Sequence, residues 1–319
     1  MHSRIIHNDR LIELTRAQLP ALTSATLYGR GVFTTLAVYR GHPFLWPEHW
    51  GRLIDHAERC GVGHNHLAPE TVKESLMRLL EANEVKEGRA RVTLLMRSLG
   101  GVWQSQTASD IVSNLASDMA GDMVSDTAGV EVETDVLLLT GDARSVAAEG
   151  LALTLSPYRL NTLSPLTGVK SVNYLEHVIA REEAGARGFD EAVMLNERGE
   201  IVSATMANLF WVKRGTIRTP ALATGALAGT TRACAIALAA ELAFPLVEGI
   251  YDTSDLGDAD EIFLTSAAHG IAPVTTYDFH RYTVAAGSLV LRLGEAFRQL
   301  TLRHGEETQA YSTGRRKSK

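Results

Sequence analysis

Lysine is scarce in this sequence, and one of its six lysines lies in a context that the other five do not share. Lys170 is the only charged residue within 166–173, whereas the others lie among charged residues, at a turn or in the C-terminal tail. Apolar surroundings disfavour an ammonium ion and lower the pKa of a lysine. A neutral amine is a nucleophile that forms an imine with a carbonyl compound. The alternative from the residues alone is a surface lysine at the start of a helix.

Two further features have the chemistry to bind an anion. A glycine-bearing loop over 224–229 directly precedes a predicted helix that begins with Thr230 and Thr231. The free N–H groups and the dipole of a helix N-terminus attract anions. Arg52 lies on the inner face of another predicted helix and needs a negative partner. The alternatives are ordinary N-capping threonines and a surface arginine paired with a neighbouring carboxylate.

Two other pairs of polar residues are interpreted as structural. His49 and His56 lie seven residues apart on the predicted helix that carries Arg52, and we expect them to pack in the core or face solvent. Asp258 and Asp260 precede a predicted strand and are typical of a turn. No spacing of cysteine and histidine typical of a metal site occurs.

The elements that must position these residues mix strands with helices. The pattern predicts strands at 31–40, 90–96, 151–156, 191–196 and 261–265, and helices at 47–60, 69–84 and 230–243. The hairpins are too numerous for a purely parallel sheet, so the sequence predicts an α+β fold in two domains. We place an N-terminal α/β domain at 1–156, a linker at 157–168, a larger C-terminal domain at 169–302 and a polar basic tail at 303–319.

One segment differs in composition from its surroundings. Between Arg97 and Arg144 there is no lysine or arginine, and Ser-Asp pairs recur every eight residues among Ala, Thr and Gly. Such an acidic, low-complexity repeat can bury little apolar surface. We therefore interpret 104–133 as an insertion or mobile loop, and we expect the chain to fold without it.

The overall charge excludes some classes of partner. The chain has 31 basic and 37 acidic residues, a net charge of −6. That balance gives no general attraction to nucleic acid or to an anionic membrane surface. No apolar run is long enough to span a bilayer, and the two cysteines do not suggest disulfides, so we expect a cytoplasmic protein.

Taken in order along the chain, several short motifs resemble those of the class IV aminotransferases, the fold-type-IV enzymes that use pyridoxal 5'-phosphate. That family includes branched-chain and D-amino acid aminotransferases and aminodeoxychorismate lyase. The resemblance covers roughly 21–62 and 151–274. The motifs are Tyr-Gly-Arg-Gly-Val-Phe-Thr-Thr at 28–35, Glu-His-Trp-Gly-Arg-Leu at 48–53, the lysine segment 170–173, Asn-Leu-Phe at 208–210, Thr-Pro at 219–220, Leu-Ala-Gly-Thr-Thr-Arg at 227–232 and Pro-Val at 273–274.

The resemblance implies a role for each of several residues. Lys170 would form the imine with pyridoxal phosphate and act as the catalytic base. Arg52 and the backbone N–H groups of Thr230 and Thr231 would hold the phosphate. Leu227 would pack on the pyridine ring, and Tyr174 would reach the phenolic oxygen of the cofactor. The family builds its site between two domains and near a dimer interface, so a homodimer is implied.

Two positions depart from the family pattern. The family usually has a glutamate five residues before the Asn of Asn-Leu-Phe, where it pairs with the protonated pyridine nitrogen, and this chain has Ser203 there. Glu200 would lie on the opposite face of the strand and is not expected to replace it. A phosphate-binding threonine is common in the family where Ala267 falls, and Ser266 is expected to compensate.

The subtype that the resemblance favours is aminodeoxychorismate lyase, which releases pyruvate and 4-aminobenzoate. A threonine after Phe33 is similar to the lyase branch, and the hydroxyl of Thr35 would assist proton transfer. The substrate would contact Tyr28, Phe33 and Arg97. An amino-acid transaminase of branched-chain or D-amino acid type is the alternative, and a non-catalytic protein that binds the cofactor is a further one.

Overall fold

The computed structural model describes residues 1–98, 134–143 and 150–316, with side chains up to residue 304. Over these residues the chain forms two β-sheets with helices packed against them. The α+β prediction is confirmed. The expected insertion at 104–133 lies outside the described residues.

The first sheet is antiparallel throughout, and its strand order is β2-β1-β6-β5-β3-β4. Two long helices pack on it, and each begins beside a proline, which suits the first turn of a helix because its missing N–H would be unpaired there. The elements are β1 (Arg4–His7), β2 (Arg10–Glu13), α1 (Ser24–Tyr28), β3 (Gly31–Tyr39), β4 (His42–Pro43), α2 (Trp46–Arg59), α3 (Pro69–Ala82), β5 (Gly88–Met96) and β6 (Thr134–Asp142).

The second sheet mixes parallel and antiparallel pairs in the order β12-β11-β10-β13-β14-β7-β8-β9, with β15 paired to β14. Its strands are β7 (Leu151–Leu160), β8 (Glu191–Asn196), β9 (Ile201–Ala204), β10 (Asn208–Lys213), β11 (Thr216–Pro220), β12 (Leu246–Gly249), β13 (Glu261–Ser266), β14 (Gly270–Tyr277) and β15 (His280–Arg281). The helices are α4 (Leu175–Ala186), α5 (Thr230–Glu241), α6 (Ser254–Gly257) and α7 (Leu289–Arg316).

The two halves of the fold share buried contacts. Ala37 and Phe44 from the first half belong to one apolar cluster with Phe210, Phe263 and Leu293 from the second half. At the other end of β3, its backbone pairs with the segment that contains Lys170 through a bridge between Val32 and Ser171. The strand that carries Phe33 and Thr35 is therefore fixed relative to the second sheet.

Two expected boundaries differ from the structure. β7 runs from 151 to 160 and pairs in parallel with β14 and β8, so residues 151–156 lie in the second sheet and 157–160 continue a strand. The prolines at 157 and 165 suggested a linker. The sequence did not show that 157–160 extend β7, because the strands that pair with β7 come from distant parts of the chain. The helix α7 continues to Arg316, through most of the expected tail. No helix of the described residues is long and apolar enough to cross a membrane.

Candidate active site

A cavity of about 810 Å³ lies where β3 and β5 of the first sheet face β9, β13 and the start of α5 in the second half. It brings together ten of the residues that the sequence singled out. They are Phe33, Thr35, Arg52, Lys170, Tyr174, Ser203, Leu227, Thr230, Thr231 and Ser266.

The backbone of Lys170 is held by two elements of the first half of the fold. Its N–H donates to Nδ1 of His56 on α2 at 3.1 Å, and its carbonyl accepts from the N–H of Phe33 at 2.9 Å. Asn173 donates from its side-chain amide to the carbonyl of Gly29 at 2.7 Å. A Cβ at Gly29 would lie 2.3 Å from the oxygen of that amide, and the residue has φ +65, so glycine is required there.

The side-chain amine of Lys170 lies among aromatic rings and positive charges. Its Nζ is 4.6 Å from the ring centroids of both Phe33 and Tyr174, and 3.5 Å from the Tyr174 hydroxyl. Burial and the guanidinium groups of Arg52 and Arg91 lower the pKa of Lys170 to about 7. The sequence predicted a neutral, nucleophilic amine from its apolar surroundings alone. The structure adds two positive charges, from residues distant in the chain, that lower the pKa further.

The phosphate-binding features predicted from the sequence meet at one end of the cavity. Arg52 donates from Nη1 to the carbonyl of Ala228 at 3.2 Å and from Nη2 to the hydroxyl of Thr34 at 2.9 Å. These bonds place its guanidinium beside the N-terminus of α5, where Thr230 and Thr231 begin the helix. An arginine and a free helix N-terminus on one cavity wall form an anion site.

The loop before α5 is fixed by the Asn-Leu-Phe motif. Asn208 donates from its side-chain amide to the carbonyl of Leu227 at 2.8 Å. A Cβ at Gly229 would lie 2.1 Å from the side-chain oxygen of Asn208, so only glycine allows this approach. The motif therefore positions Leu227 on the cavity wall and leaves the first N–H groups of α5 open to a ligand.

Within the described part of the chain, three buried polar atoms without a hydrogen-bond partner belong to residues that line this cavity. They are Nε of Arg52, Nδ1 of His177 and Oγ1 of Thr265. A buried polar group without a partner costs free energy, so such atoms are normally satisfied by protein, water or a ligand. Their position fits a ligand that carries several polar groups as well as a phosphate. Pyridoxal phosphate is such a molecule.

Ser203 lines the cavity on β9, where it pairs with Met194 of β8. The carboxylate of Glu200 accepts hydrogen bonds from Arg198 and Asn196 and does not contact Ser203. The carboxylate of Glu191 accepts from the backbone N–H of Met206. Among the described cavity residues the only carboxylate belongs to Glu176. Ser266 also lines the cavity, and its Oγ accepts from the N–H of His269 at 3.2 Å.

The opposite wall is formed by the facing sides of β3 and β5. Phe33 and Thr35 lie two residues apart and so share a face of β3, and Thr35 is opposite Arg91 in the register. The guanidinium carbon of Arg91 lies 3.6 Å from the centroid of the Phe33 ring. Arg89, on the same face of β5, also lines the cavity. The predicted strand at 90–96 includes Arg91, but nothing in the sequence shows which residues its two faces meet, so the role of this pair was not predicted.

Two expected substrate contacts lie elsewhere. Arg97 donates from Nε to Oδ2 of Asp135 at 3.3 Å, and it is not among the described residues that line the cavity. Arg97 lies just beyond the end of β5, and its ion pair with Asp135 of β6 holds its guanidinium away from the cavity. Tyr28 is exposed at the end of α1 and is also absent from the described lining of this chain.

Both histidines of α2 are part of the site's framework. His49, Arg52 and His56 form one stripe along the helix, at spacings of three and four residues, and the stripe faces the cavity wall. Burial and nearby positive charges lower the pKa of His49 to about 3 and that of His56 to about 4, so both rings are neutral. The expectation that the two histidines only pack or face solvent is incomplete. Their position on the same helix face as Arg52 is the sequence feature that indicated a place beside the site.

Comparisons with known proteins agree with this geometry. The family model for amino-transferase class IV matches residues 31–277. A putative branched-chain-amino-acid aminotransferase from Methanocaldococcus jannaschii is 30% identical over 305 residues, which cover 95% of this chain and 98% of that protein.

The aminodeoxychorismate lyase of Bacillus subtilis is 29% identical over 284 residues, 88% of each chain. The crystal structure of a branched-chain aminotransferase from Thermoproteus uzoniensis has a TM-score of 0.79, with 25% identity and 95% of each chain covered. The relatives therefore include both a lyase and transaminases.

Proposed function

This chain belongs to the class IV aminotransferases, which are enzymes dependent on pyridoxal 5'-phosphate, and on that premise we propose that it is a 4-amino-4-deoxychorismate lyase. The reaction removes the hydrogen from the ring carbon that bears the amine and breaks the neighbouring ether bond to the enolpyruvyl group. The products are 4-aminobenzoate and pyruvate, and no other reactant is consumed. The competing function is transamination of an amino acid.

The observation that carries the proposal is the surplus of positive charge on the substrate side of the cavity. Arg52 would be matched by the cofactor's phosphate, and Arg181 lies 4.0 Å from Glu191. Arg89 and Arg91 remain, and the described lining holds one carboxylate. Two guanidinium groups favour a substrate with two carboxylates, which aminodeoxychorismate has. A pocket for a branched aliphatic side chain would instead be lined by apolar residues.

The residues of this chain divide the work between binding and proton transfer. Pyridoxal phosphate, when bound, supplies an electron-withdrawing ring that eases loss of the proton next to the substrate's amine. Lys170, neutral above its pKa of about 7, would hold the cofactor covalently and then move that proton. Thr35 faces the same cavity from β3 and would place a hydroxyl beside the departing enolpyruvyl oxygen.

Ser203 supports elimination over transamination. A carboxylate beside the pyridine nitrogen stabilises its protonated form, whereas a serine hydroxyl can donate to the unprotonated nitrogen. The cationic neighbours Arg52, Arg91 and Lys170 further disfavour an added positive charge in the cavity. An unprotonated ring is a weaker electron sink. Formation of an aromatic product provides its own driving force, so the lyase reaction depends less on that sink.

One pair of assays separates the candidate functions. Purified protein loaded with pyridoxal phosphate is given aminodeoxychorismate, and separately a panel of L- and D-amino acids with 2-oxoglutarate. We expect 4-aminobenzoate and pyruvate in equal amounts in the first assay and slow glutamate formation in the second. Rapid transamination without 4-aminobenzoate would assign the alternative function. Activity in neither assay would support a non-catalytic binding protein.

The oligomeric state and the cellular role belong to the same proposal. Leu19, Leu22, Leu27 and Tyr28 expose an apolar surface on α1 and the segment before it, which supports a homodimer. Light scattering on the purified protein tests this, and a monomer would contradict it. The product 4-aminobenzoate would serve folate synthesis in the cytoplasm.

A further inference from the structure

His49 has a hydrogen-bond contact on each ring nitrogen, and the two contacts come from different halves of the fold. Nδ1 lies 2.7 Å from the hydroxyl of Thr34 on β3. Nε2 lies 3.0 Å from the hydroxyl of Thr230, the first residue of α5. His49 is 1% exposed, so water does not replace either contact.

Arg52 limits the direction in which these hydrogen bonds can run. A guanidinium only donates, so the Thr34 hydroxyl accepts from Nη2 of Arg52 and keeps its own proton to donate. Burial, then the charges of Arg52 and Lys170, lower the pKa of His49 to about 3. The ring is therefore neutral, with one donor and one acceptor nitrogen.

Two arrangements satisfy these conditions without a ligand. In the first, Thr34 donates to Nδ1 and the Nε2–H donates to Thr230, whose own O–H then points to another acceptor. In the second, the Nδ1–H donates to Thr34, and Thr230 donates to Nε2. Only the first leaves the Thr230 proton for an anion at the N-terminus of α5. The second turns oxygen lone pairs toward that anion, which is repulsive.

We propose that His49 is a positioning residue that holds the Thr230 hydroxyl with its proton toward the cofactor's phosphate, through the directional chain Arg52, Thr34, His49, Thr230. Nε of Arg52, which is buried without a partner, then serves the same phosphate. The same series of hydrogen bonds connects the phosphate site to β3, the strand that presents Phe33 and Thr35 to the substrate. The inference goes beyond the proposed function, because it holds for a lyase and a transaminase alike.

Cofactor affinity measured with and without the phosphate tests this role. The full chain, freed of cofactor, is titrated with pyridoxal phosphate and with pyridoxal, which lacks the phosphate. Thr230→Val and His49→Phe should each weaken pyridoxal phosphate binding about 10-fold and leave pyridoxal binding unchanged. Thr230→Ser, which keeps the hydroxyl, should bind like the unmodified protein. The double variant should lose no more affinity for pyridoxal phosphate than either single variant, because both changes break the same series of hydrogen bonds.

Thr219→Val is the matched control. Thr219 is fully buried in the same half of the fold and donates its hydroxyl proton to the carbonyl of Leu209 at 2.8 Å. Its loss should lower the melting temperature without changing the ratio of the two affinities. Equal weakening of pyridoxal and pyridoxal phosphate binding by Thr230→Val would overturn the proposal, as would additive losses in the double variant.

A direct measurement covers the case in which His49→Phe fails to fold. Nitrogen-15 NMR of histidine-labelled protein loaded with pyridoxal phosphate reports the tautomer of His49, identified by its loss in His49→Gln. The proposal requires the proton on Nε2. A proton on Nδ1 would overturn it.

Discussion

The two ends of the cavity are built in different ways, and the difference explains which parts of the site were visible in the sequence. The phosphate end is the part of the cavity lined by Arg52, Thr230 and Thr231, which come from two short motifs. Hydrogen bonds join the two motifs, from Arg52 to Ala228 and between His49 and Thr230. At the substrate end, Thr35 and Arg91 face each other across paired strands. The phosphate end thus uses local helix geometry, whereas the substrate end depends on strand register.

The two ends also differ in charge balance. In the proposed site, the positive charge of Arg52 would have a defined counterpart, the phosphate of the cofactor on which the family depends. Among the described cavity residues, Glu176 carries the one carboxylate that could balance the charges of Arg89 and Arg91. A conserved cofactor and a variable substrate would produce this pattern, because the family shares the first anion and not the second.

The largest expected effect concerns the residue between the two ends. Lys170→Ala should lower turnover by about 10²- to 10⁴-fold, from the lost proton transfer alone. The variant should also fail to form a borohydride-reducible bond between protein and cofactor. Lys213→Ala is the control, since Lys213 pairs with Asp258 at a turn outside the cavity. A reducible adduct of equal yield in Lys170→Ala would refute the role of this lysine.

The next effect separates the substrate end from the phosphate end. Arg91→Gln should lower kcat/KM for aminodeoxychorismate about 10- to 100-fold, because a hydrogen bond to a charged group contributes about 1.5–3 kcal/mol. Affinity for pyridoxal phosphate should stay within about twofold. Arg97→Gln is the control, since Arg97 pairs with Asp135. If Arg97→Gln is the more damaging change, Arg97 contacts the substrate and Arg91 does not.

The pH dependence of cofactor attachment links the two ends. Burial, Arg52 and Arg91 lower the pKa of Lys170 to about 7 in the chain without cofactor. Only the neutral amine attacks, so the attachment rate should rise about 10-fold per pH unit below pH 7 and level off above it. Arg91→Gln removes one positive neighbour and should move the midpoint upward. A midpoint above pH 9 in the unmodified chain would contradict this environment.

The smallest expected effect concerns the balance between two reactions. Ser203→Glu should raise transamination relative to 4-aminobenzoate release by up to about 10-fold, the equivalent of one pKa unit at the pyridine nitrogen. Ser203→Ala controls for the loss of the hydroxyl without added charge. Product ratios from single turnovers give the measurement. An unchanged ratio would mean that the ring nitrogen does not govern the choice of reaction.

Several elements of the fold were predictable because their signals are local. The helix at 47–60 and the observed α2 differ by one residue at each end, since proline marks its start and an apolar stripe marks its length. The strand β7 was cut short in the prediction, at residue 156 instead of 160. Its residues 157–159 are exposed, and the strand continues to Leu160 through pairing with β8.

The substrate end was less predictable for a related reason. Arg89 and Arg91 alternate with buried Gly88 and Ala90, which is the period of a strand. That alternation shows that the two arginines share a face, but not what the face meets. Their position beside Thr35 follows only from the antiparallel register of β3 and β5.

By itself, the sequence determined the pieces whose chemistry is local: an uncharged segment around Lys170, a loop that leads into a helix N-terminus, and a stripe of His49, Arg52 and His56 on one helix. The tertiary structure decided how those pieces act on each other. The pKa of Lys170 falls to about 7 because the fold buries its amine and because Arg52 and Arg91 approach it from other elements. His49 joins Thr34 to Thr230, which is 181 residues further along the chain than His49. Electrostatic interactions and hydrogen bonds act over a few ångströms of space, so they exist only once the fold has brought these groups together.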